Sequence, residues 1–332
     1  MSKVDRRAFI QVSALSIAAT AAAKADGLVP VEQKESPDDW VPNEVAVLVV
    51  GGGTAGTVAA IQAGRSGART MIVERGPQLG GTMTTGGVAY PGLFDAWGKQ
   101  VIAGIGWDLV KECVELDGGE FPDFSTPGRP HFKNQLKVNR YLYPLLAEEK
   151  CRLAGVQIAY YESPRAIQKT PTGWQVDCYG FGTNRRMFCK QIVDCTGGAE
   201  AVGLLGLPRL REEETQPASI LFTIGRPYTP GREGLTGKHY IHGGDSTNSR
   251  TVTDANLKGR QHLLWRVRRA AKSDAGRLMH VQPEVSFRES YRIHGETIIT
   301  VDDYKSGRLF EDSVCNAFYP IDLHTKTGVR PV

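Results

Sequence analysis

Three glycines and one acid offer the first chemistry in this chain. In the stretch VAVLVVGGGTAGTVAAIQAGRSGARTMIVERGPQLGG, Gly51, Gly53 and Gly56 stand in G-x-G-x-x-G spacing, and Glu74 follows at the end of the next apolar run. The interval is close to the roughly 20 residues that separate such a turn from its acid. The first glycine allows a tight turn, the second lets backbone approach a pyrophosphate, and the third lets a helix sit close to a strand. The carboxylate can accept hydrogen bonds from both hydroxyls of an adenosine ribose, and it disfavours a 2′-phosphate. A dinucleotide is the ligand this pattern calls for. A second group lies far downstream, in Arg288-Glu289-Ser290-Tyr291-Arg292-Ile293-His294. Arg288 and Arg292 share a face on a helix and also on a strand, so together they could clamp a carboxylate or another anion. Arg288 could equally pair with Glu289 or a distant acid. Tyr291, His294 and His324 are proton donors or acceptors by type, histidine titrating near neutral pH.

The elements that must position these residues can be read in order. Val45 to Val50 is a continuous apolar run, which suits a parallel strand covered on both faces. A helix from Thr54 to Arg65 follows the glycines, with Ala55, Ala59, Ala60 and Ala63 expected towards the sheet, and its N-terminus favours phosphate charge. Ser66-Gly67 turns the chain into a second strand, Thr70 to Val73, ending in Glu74. Further on, a helix is expected around Leu136 to Leu153, then strands at Val156 to Tyr161 and Trp174 to Tyr179, and an apolar strand in MFCKQIVDCTGG. The stretch AYPGLFDAWGKQVIAGIGWDLV interrupts this pattern. From about Leu207 the sequence changes character, with a short strand at Ser219 to Ile224 and a basic helix at Leu257 to Ala271. The architecture expected is α/β: a Rossmann-like domain with a parallel sheet over 44–206, then a mixed α+β substrate or cap domain over 207–332.

Composition narrows the function classes. The chain has 332 residues, 41% hydrophobic and 23% charged, enough for a sizeable core in two domains. A net charge of +4 with scattered basic residues gives no nucleic-acid stripe, and Arg266-Val267-Arg268-Arg269 reads as the solvated face of a helix. The six cysteines, Cys113, Cys151, Cys178, Cys189, Cys195 and Cys315, have wide irregular spacing, which argues for buried thiols over a disulfide framework. No CxxC pair or His/Cys cluster with ligand spacing occurs, so no metal site is expected; His239 and His242, in KHYIHGGDS, resemble a loop near a site but lack a third ligand. At the N-terminus, Arg6-Arg7 before a weakly apolar stretch and Ala23-Lys24-Ala25 resemble a twin-arginine export signal over 1–25, with a polar linker over 26–43. Asp5 and Gln11 depart from the usual pattern. The apolar stretch is too short and alanine-rich for a good membrane span, so a periplasmic or secreted protein is expected, one that folds around a redox cofactor before export.

The residues after Glu74 bear on whether the dinucleotide is NAD or FAD. Arg75, Leu79-Gly80-Gly81-Thr82 and the Thr196-Gly197 turn resemble the flavoprotein pattern in which the chain passes along the cofactor and then closes over it. With LGGTMTTGGV, IVDCTGGAEAVGLLG, QPASILFTIG, SFRESYRIHGETIITVDDYKSGRLFEDSV and YPIDLH, the chain resembles the FAD-dependent oxidoreductase family, glutathione-reductase-type Rossmann flavoproteins that include relatives of the heterodisulfide reductase flavin subunit. The resemblance implies FAD held by Gly51, Gly53, Thr54, Ala55, Gly56, Glu74, Arg75, Gly80, Gly81, Thr82, Thr196 and Gly197. It implies hydride transfer between a small polar organic substrate and flavin N5, with Arg288, Arg292, His294 and His324 as the catalytic candidates. Two departures stand out. Family members carry an acid directly after the Thr-Gly pair, where this chain has Gly198 and then Glu200. Relatives also continue past YPIDLHTKTGVRPV into a segment that contacts the flavin ring, so a fragment or truncated product is expected here. Two other readings remain open: a non-catalytic or electron-relay subunit whose separate acceptor protein carries iron–sulfur clusters or haem, and an NAD-linked dehydrogenase.

Overall fold

In the computed structural model, residues 43–126, 131–225, 235–270, 277–316, 322–325 and 328–331 are described. The expected signal, 1–25, and all but the last residue of the expected linker, 26–43, lie outside them. The apolar run forms β1 (Glu44–Val50), and the chain turns through the glycines into α1 (Thr54–Arg65) and β2 (Thr70–Glu74). After a small hairpin of Asp95–Ala96 with Lys99–Gln100 come α2 (Ile105–Leu116) and α3 (Leu142–Leu153). Then follow β3 (Gln157–Tyr160), β4 (Ser163–Thr170), β5 (Gly173–Gly180) and β6 (Thr183–Asp194). These strands make one six-stranded sheet in the order β3-β2-β1-β6-β5-β4. β1 runs parallel to β2 and β6, and β2 parallel to β3, whereas β4, β5 and β6 form an antiparallel meander. The parallel sheet read from the sequence is thus a mixed sheet with a parallel half.

Alternation along the central strands explains why they are apolar throughout. Val49 and Ile72 face a layer of α1, α2 and α3 with Ile61, Leu109, Val110, Tyr143 and Leu146, while Leu48, Val50, Met71 and Val73 pack on the other side with Ala159, Val176 and Met187. Both faces are covered, so no position can be polar without a partner. In α1 the buried residues are Gly56, Thr57, Ala60 and Ile61; Ala55 is exposed, and Ala59 and Ala63 are half-buried. The helical period therefore starts from Gly56, and this shifts the buried face from the alanines expected.

Helix α3 starts at Leu142 instead of near Leu136 because Asn139 caps it: its Oδ1 accepts from the N–H groups of Tyr141 and Leu142 at 3.0 and 3.2 Å. Leu136 and Val138 are buried in an extended segment before the cap.

Beyond the short α4 (Glu200–Leu204), the second half builds a three-stranded antiparallel sheet from β7 (Ala218–Gly225), β8 (Leu235–Ile241) and, after α5 (Ser249–Ala270), β9 (Arg277–Val281), in the order β8-β7-β9. Ala218 and Ile220 pack with Ile241 and with Ala255 of α5. α5 begins well before the expected Leu257, because Asn248 Oδ1 accepts from Arg250 and Thr251 N–H at 3.1 Å each and caps a first half too polar to show a stripe. Both sheets belong to the unit Val41–Val332.

Candidate functional site

Where β1 meets α1, Gly51 adopts φ +97° and its missing side chain leaves room for the Cys195 carbonyl, which an added Cβ would meet at 2.5 Å. An added Cβ on Gly56 would stand 1.8 Å from the Gly51 carbonyl oxygen. That contact holds α1 against the turn. Gly53 differs: it sits at φ −61° and ψ −179°, and an added Cβ would meet nothing within 4 Å. It faces open space. α1 has no side-chain cap at its start, so its first N–H groups are directed there without an internal partner.

That space is a cleft of about 350 Å³. On one wall stands Glu74, whose carboxylate accepts from Gly52 N–H at 2.5 Å and Gly76 N–H at 2.6 Å. The two backbone donors fix the carboxylate at the rim of the glycine turn. The Gly80-Gly81 turn lies alongside: Gly80 N–H donates to Gly52 O at 2.8 Å, and an added Cβ on Gly81 would meet Gly53 Cα at 3.0 Å. On the far wall, Cys195 N–H donates to Val50 O at 2.8 Å, and this joins the end of β6 to β1. Thr196 Oγ1 donates to Asp194 at 2.7 Å and accepts from Glu200 N–H at 2.9 Å, so the turn is held at the start of α4. Arg75 reaches across to Glu200 at 3.2 Å.

Gly51, Gly53, Thr54, Ala55, Glu74, Arg75, Gly80, Gly81, Thr82, Thr196 and Gly197 all line this one cleft, and Gly56 sits behind it. Glu162, Ser163, Pro164 and Glu284 line it too, and nothing in their sequence spacing marks them. Glu162 forms a buried ion pair with Arg185 at 3.2 Å.

A second cleft, of about 470 Å³, adjoins the first at Thr82. Its floor is the face of β7 and β8 turned away from α5, with Ser219, Leu221 and Lys238, and its walls are Val88, Tyr90, Ser286, Phe287 and Arg288. Side chains of Ser286 and Gln282, just past the end of β9, tie the segment to the loop that forms the wall. Ser286 Oγ donates to Gly86 O at 2.8 Å, and the Gln282 amide, oriented by its partners, donates to the carbonyls of Thr84 and Thr85 at 3.2 and 3.3 Å while accepting from His280 at 3.2 Å.

Of the four residues expected to be catalytic, Arg288 lines the second cleft. The segment around Arg288 is neither helix nor regular strand, so the shared face expected for Arg288 and Arg292 does not form. Arg292 lies in a two-residue bridge with Arg209–Leu210 and pairs with Glu212. His294, exposed, donates its N–H to Pro208 O at 3.3 Å beside that bridge. Neither lines the two clefts. His324 lies opposite Val329 in the hairpin of Asp322–Thr325 with Gly328–Pro331, and its side chain is outside the described residues. Tyr291 packs under the Arg209 guanidinium at 3.9 Å.

The KHYIHGGDS stretch is strand as far as Ile241, and His239 stacks on His262 of α5 with ring centroids 3.5 Å apart. Burial, with His262, Arg266 and His242 nearby, holds His239 below the usual histidine range. All six cysteines are free thiols, four of them buried, with Cys195 at the cleft wall and Cys315 exposed. Among the described residues no helix is long and apolar enough to cross a membrane.

Comparison with known proteins places this geometry. A family model described as FAD dependent oxidoreductase matches residues 46–223 and 209–331. No curated protein matches the chain in sequence. Among solved structures, the flavin-dependent monooxygenase PieE, in complex with FAD and substrate, is similar over 75% of this chain and 50% of its own, at 12% identity and a TM-score of 0.50. The OxyS anhydrotetracycline hydroxylase from Streptomyces rimosus is similar over 76% of this chain and 54% of its own, at 17% identity and a TM-score of 0.49. The chain thus spans about half the length of these structures, and PieE's likeness speaks to the fold alone. The family match takes in the glycine turn, Glu74, the Gly80-Gly81 turn and Thr196-Gly197, so the chain belongs to the FAD dependent oxidoreductase family and its cofactor is FAD.

Proposed function

We propose that this protein is an exported oxidoreductase that transfers a hydride between a small polar organic substrate and the N5 position of FAD. The observation that carries the reading is the convergence of the glycine turn, Glu74, Gly80-Gly81 and Thr196-Gly197 on one cleft. Its residues fit the cofactor. The open space beside Gly53 and the uncapped start of α1 suit a pyrophosphate, and Glu74 at the rim suits an adenosine ribose. Gly80, Gly81 and Thr82 continue the wall towards the second cleft, where Thr82 is shared. When bound, FAD supplies the two-electron chemistry. The chain's own work is to hold the cofactor and to orient a substrate in the second cleft with Arg288 on its wall. Arg6-Arg7 and the stretch after them support export by the twin-arginine route.

The test is the visible absorption spectrum of the purified chain, before and after acid precipitation and after reconstitution with FAD. A flavin spectrum whose chromophore acid releases is expected, followed by anaerobic bleaching with the right substrate. A chain that stays colourless after reconstitution would refute FAD binding by this polypeptide.

A further inference from the structure

The second cleft carries a charge pattern of its own. Lys238 and Arg288 both line it, and no acidic residue does. Several arginines elsewhere are paired with acids, among them Arg75 with Glu200, Arg185 with Glu162, Arg211 with Asp245, Arg292 with Glu212 and Arg308 with Asp303. Among the described residues Lys238 and Arg288 have no acidic partner; Lys238 lies only over the Tyr240 ring, at 5.0 Å.

The strand register explains how they come to one place. Lys238 stands directly opposite Leu221, and Ile220 opposite His239. Residues opposite each other in an antiparallel pair share a face. Ile220 and His239 therefore point at α5, and Leu221 and Lys238 point into the cleft, as Ser219 does two positions earlier. Ser219 is 8% exposed, and its hydroxyl has no hydrogen-bond partner among the described residues, so a donor is left directed at the cleft. The remaining walls are apolar and aromatic: Val88, Tyr90, Leu221 and Phe287.

We propose that this cleft binds an organic anion, a carboxylate carried on an apolar or aromatic body, with the charge held by Lys238 and Arg288 and the body against Tyr90, Leu221 and Phe287. Two cations on one wall with no acid beside them raise the local positive potential and attract an anion, and an apolar wall beside them favours an anion that brings its own apolar surface. About 470 Å³ lies within the range of small-molecule sites and accommodates one or two fused rings. The inference rests on the proposed function in treating the ligand as the substrate, and it goes beyond that reading by confining the polarity of the substrate to one carboxylate on an otherwise apolar body.

The probe is 2-naphthoate, titrated by calorimetry into the FAD-reconstituted full chain, with the neutral isostere 2-naphthamide as its control. Saturable binding of the acid is expected, at least about tenfold tighter than the amide, and weakening with added salt. Lys238→Met and Arg288→Met are each expected to lose about tenfold in affinity for the acid and little for the amide, because they remove charge and keep the stem. Both residues are exposed, and circular dichroism melting checks that the variants fold. Lys258→Met, on α5 and paired with Asp254, is expected to leave binding unchanged. Equal affinity for acid and amide, no binding of either, or unchanged affinity in both cleft variants would each overturn the proposal. The flavin spectrum separates the two readings: a colourless chain that still selects the acid keeps the anion site and loses the oxidoreductase reading, and a yellow chain that ignores the acid does the reverse.

Discussion

Gly53→Ala is expected to weaken FAD binding without weakening the fold, and Gly56→Ala to do the opposite. Gly53 sits at φ −61° and ψ −179°, a conformation that alanine adopts without strain, and its added methyl would meet nothing within 4 Å. On the stability side the substitution is therefore neutral or gains about 0.4–1 kcal/mol through the unfolded chain. On the binding side the methyl stands at the open start of α1, where a phosphate must come within hydrogen-bond reach of the backbone N–H groups. Losing one charge-assisted hydrogen bond costs about 1.5–3 kcal/mol, or roughly 10- to 150-fold in Kd. At Gly56 the same methyl would lie 1.8 Å from a backbone carbonyl oxygen and 3.2 Å from Cys195 Cβ. Backbone cannot swing aside as a side chain can, so the helix must move away from β1, at a cost of about 3 kcal/mol or more. The assays are FAD titration followed by flavin fluorescence, and chemical denaturation of the apoprotein. A Gly53→Ala protein with wild-type FAD affinity, or one that unfolds as early as Gly56→Ala, would refute the division of labour between the two glycines.

Three further outcomes follow from the packing. Glu162→Ala opens a buried pair in which both side chains are nearly inaccessible, and it should cost roughly 3–5 kcal/mol in denaturant unfolding, far above what Glu200→Ala does at the exposed pair with Arg75. A thiol reagent at neutral pH should modify Cys315 at once and Cys195 slowly, with FAD protecting Cys195. The other four should stay silent until unfolding, since burial pushes Cys113 and Cys189 up to about 11 and Cys151 and Cys178 up to about 12. Burial of Asp245 alone would raise its pKa, but hydrogen bonds from the Thr247 hydroxyl and N–H, together with Arg211, hold it below the usual carboxylate range. Its stabilising effect is therefore complete above the unfolded value of about 3.9 and is lost as pH falls through the lower folded value. Asp245→Asn should flatten the acid limb of the stability–pH curve, and an unchanged limb would sink that account.

Legibility in the sequence followed the range of the interactions concerned. The β1-α1-β2 unit and its acid could be read because every contact that defines them lies within one supersecondary motif, and the apolar run, the glycines and Glu74 report on each other. Helix starts are illegible where a single side chain sets them: Asn139 and Asn248 cap α3 and α5, and neither stands at the edge of a clear apolar stripe. The meander of β4, β5 and β6 is hard to read because its period-two alternation places a charge inside and an aromatic ring outside: in β6, Arg185, Met187 and Cys189 are buried and Phe188 is exposed. Glu162 and Arg185, which face each other across that meander, give no local sign at all of being a pair.

The second cleft is the extreme case, and it shows why a charged residue's partner is harder to read than its type. Within the sequence Arg288 has Arg292 as its obvious companion, four residues on, and a periodic element would have put the two side by side. No regular element forms there, and a two-residue bridge carries Arg292 off to Glu212. What meets Arg288 in the cleft is Lys238, fifty positions earlier, in a stretch whose histidines draw the eye. Its direction is decided by the register that sets it opposite Leu221 and not Ile220. A slip of one residue would turn Lys238 towards α5 and His239 into the cleft, replacing a permanent cation with a group that titrates near neutral pH. The positive charge that Lys238 brings to this cleft is therefore a property of strand pairing.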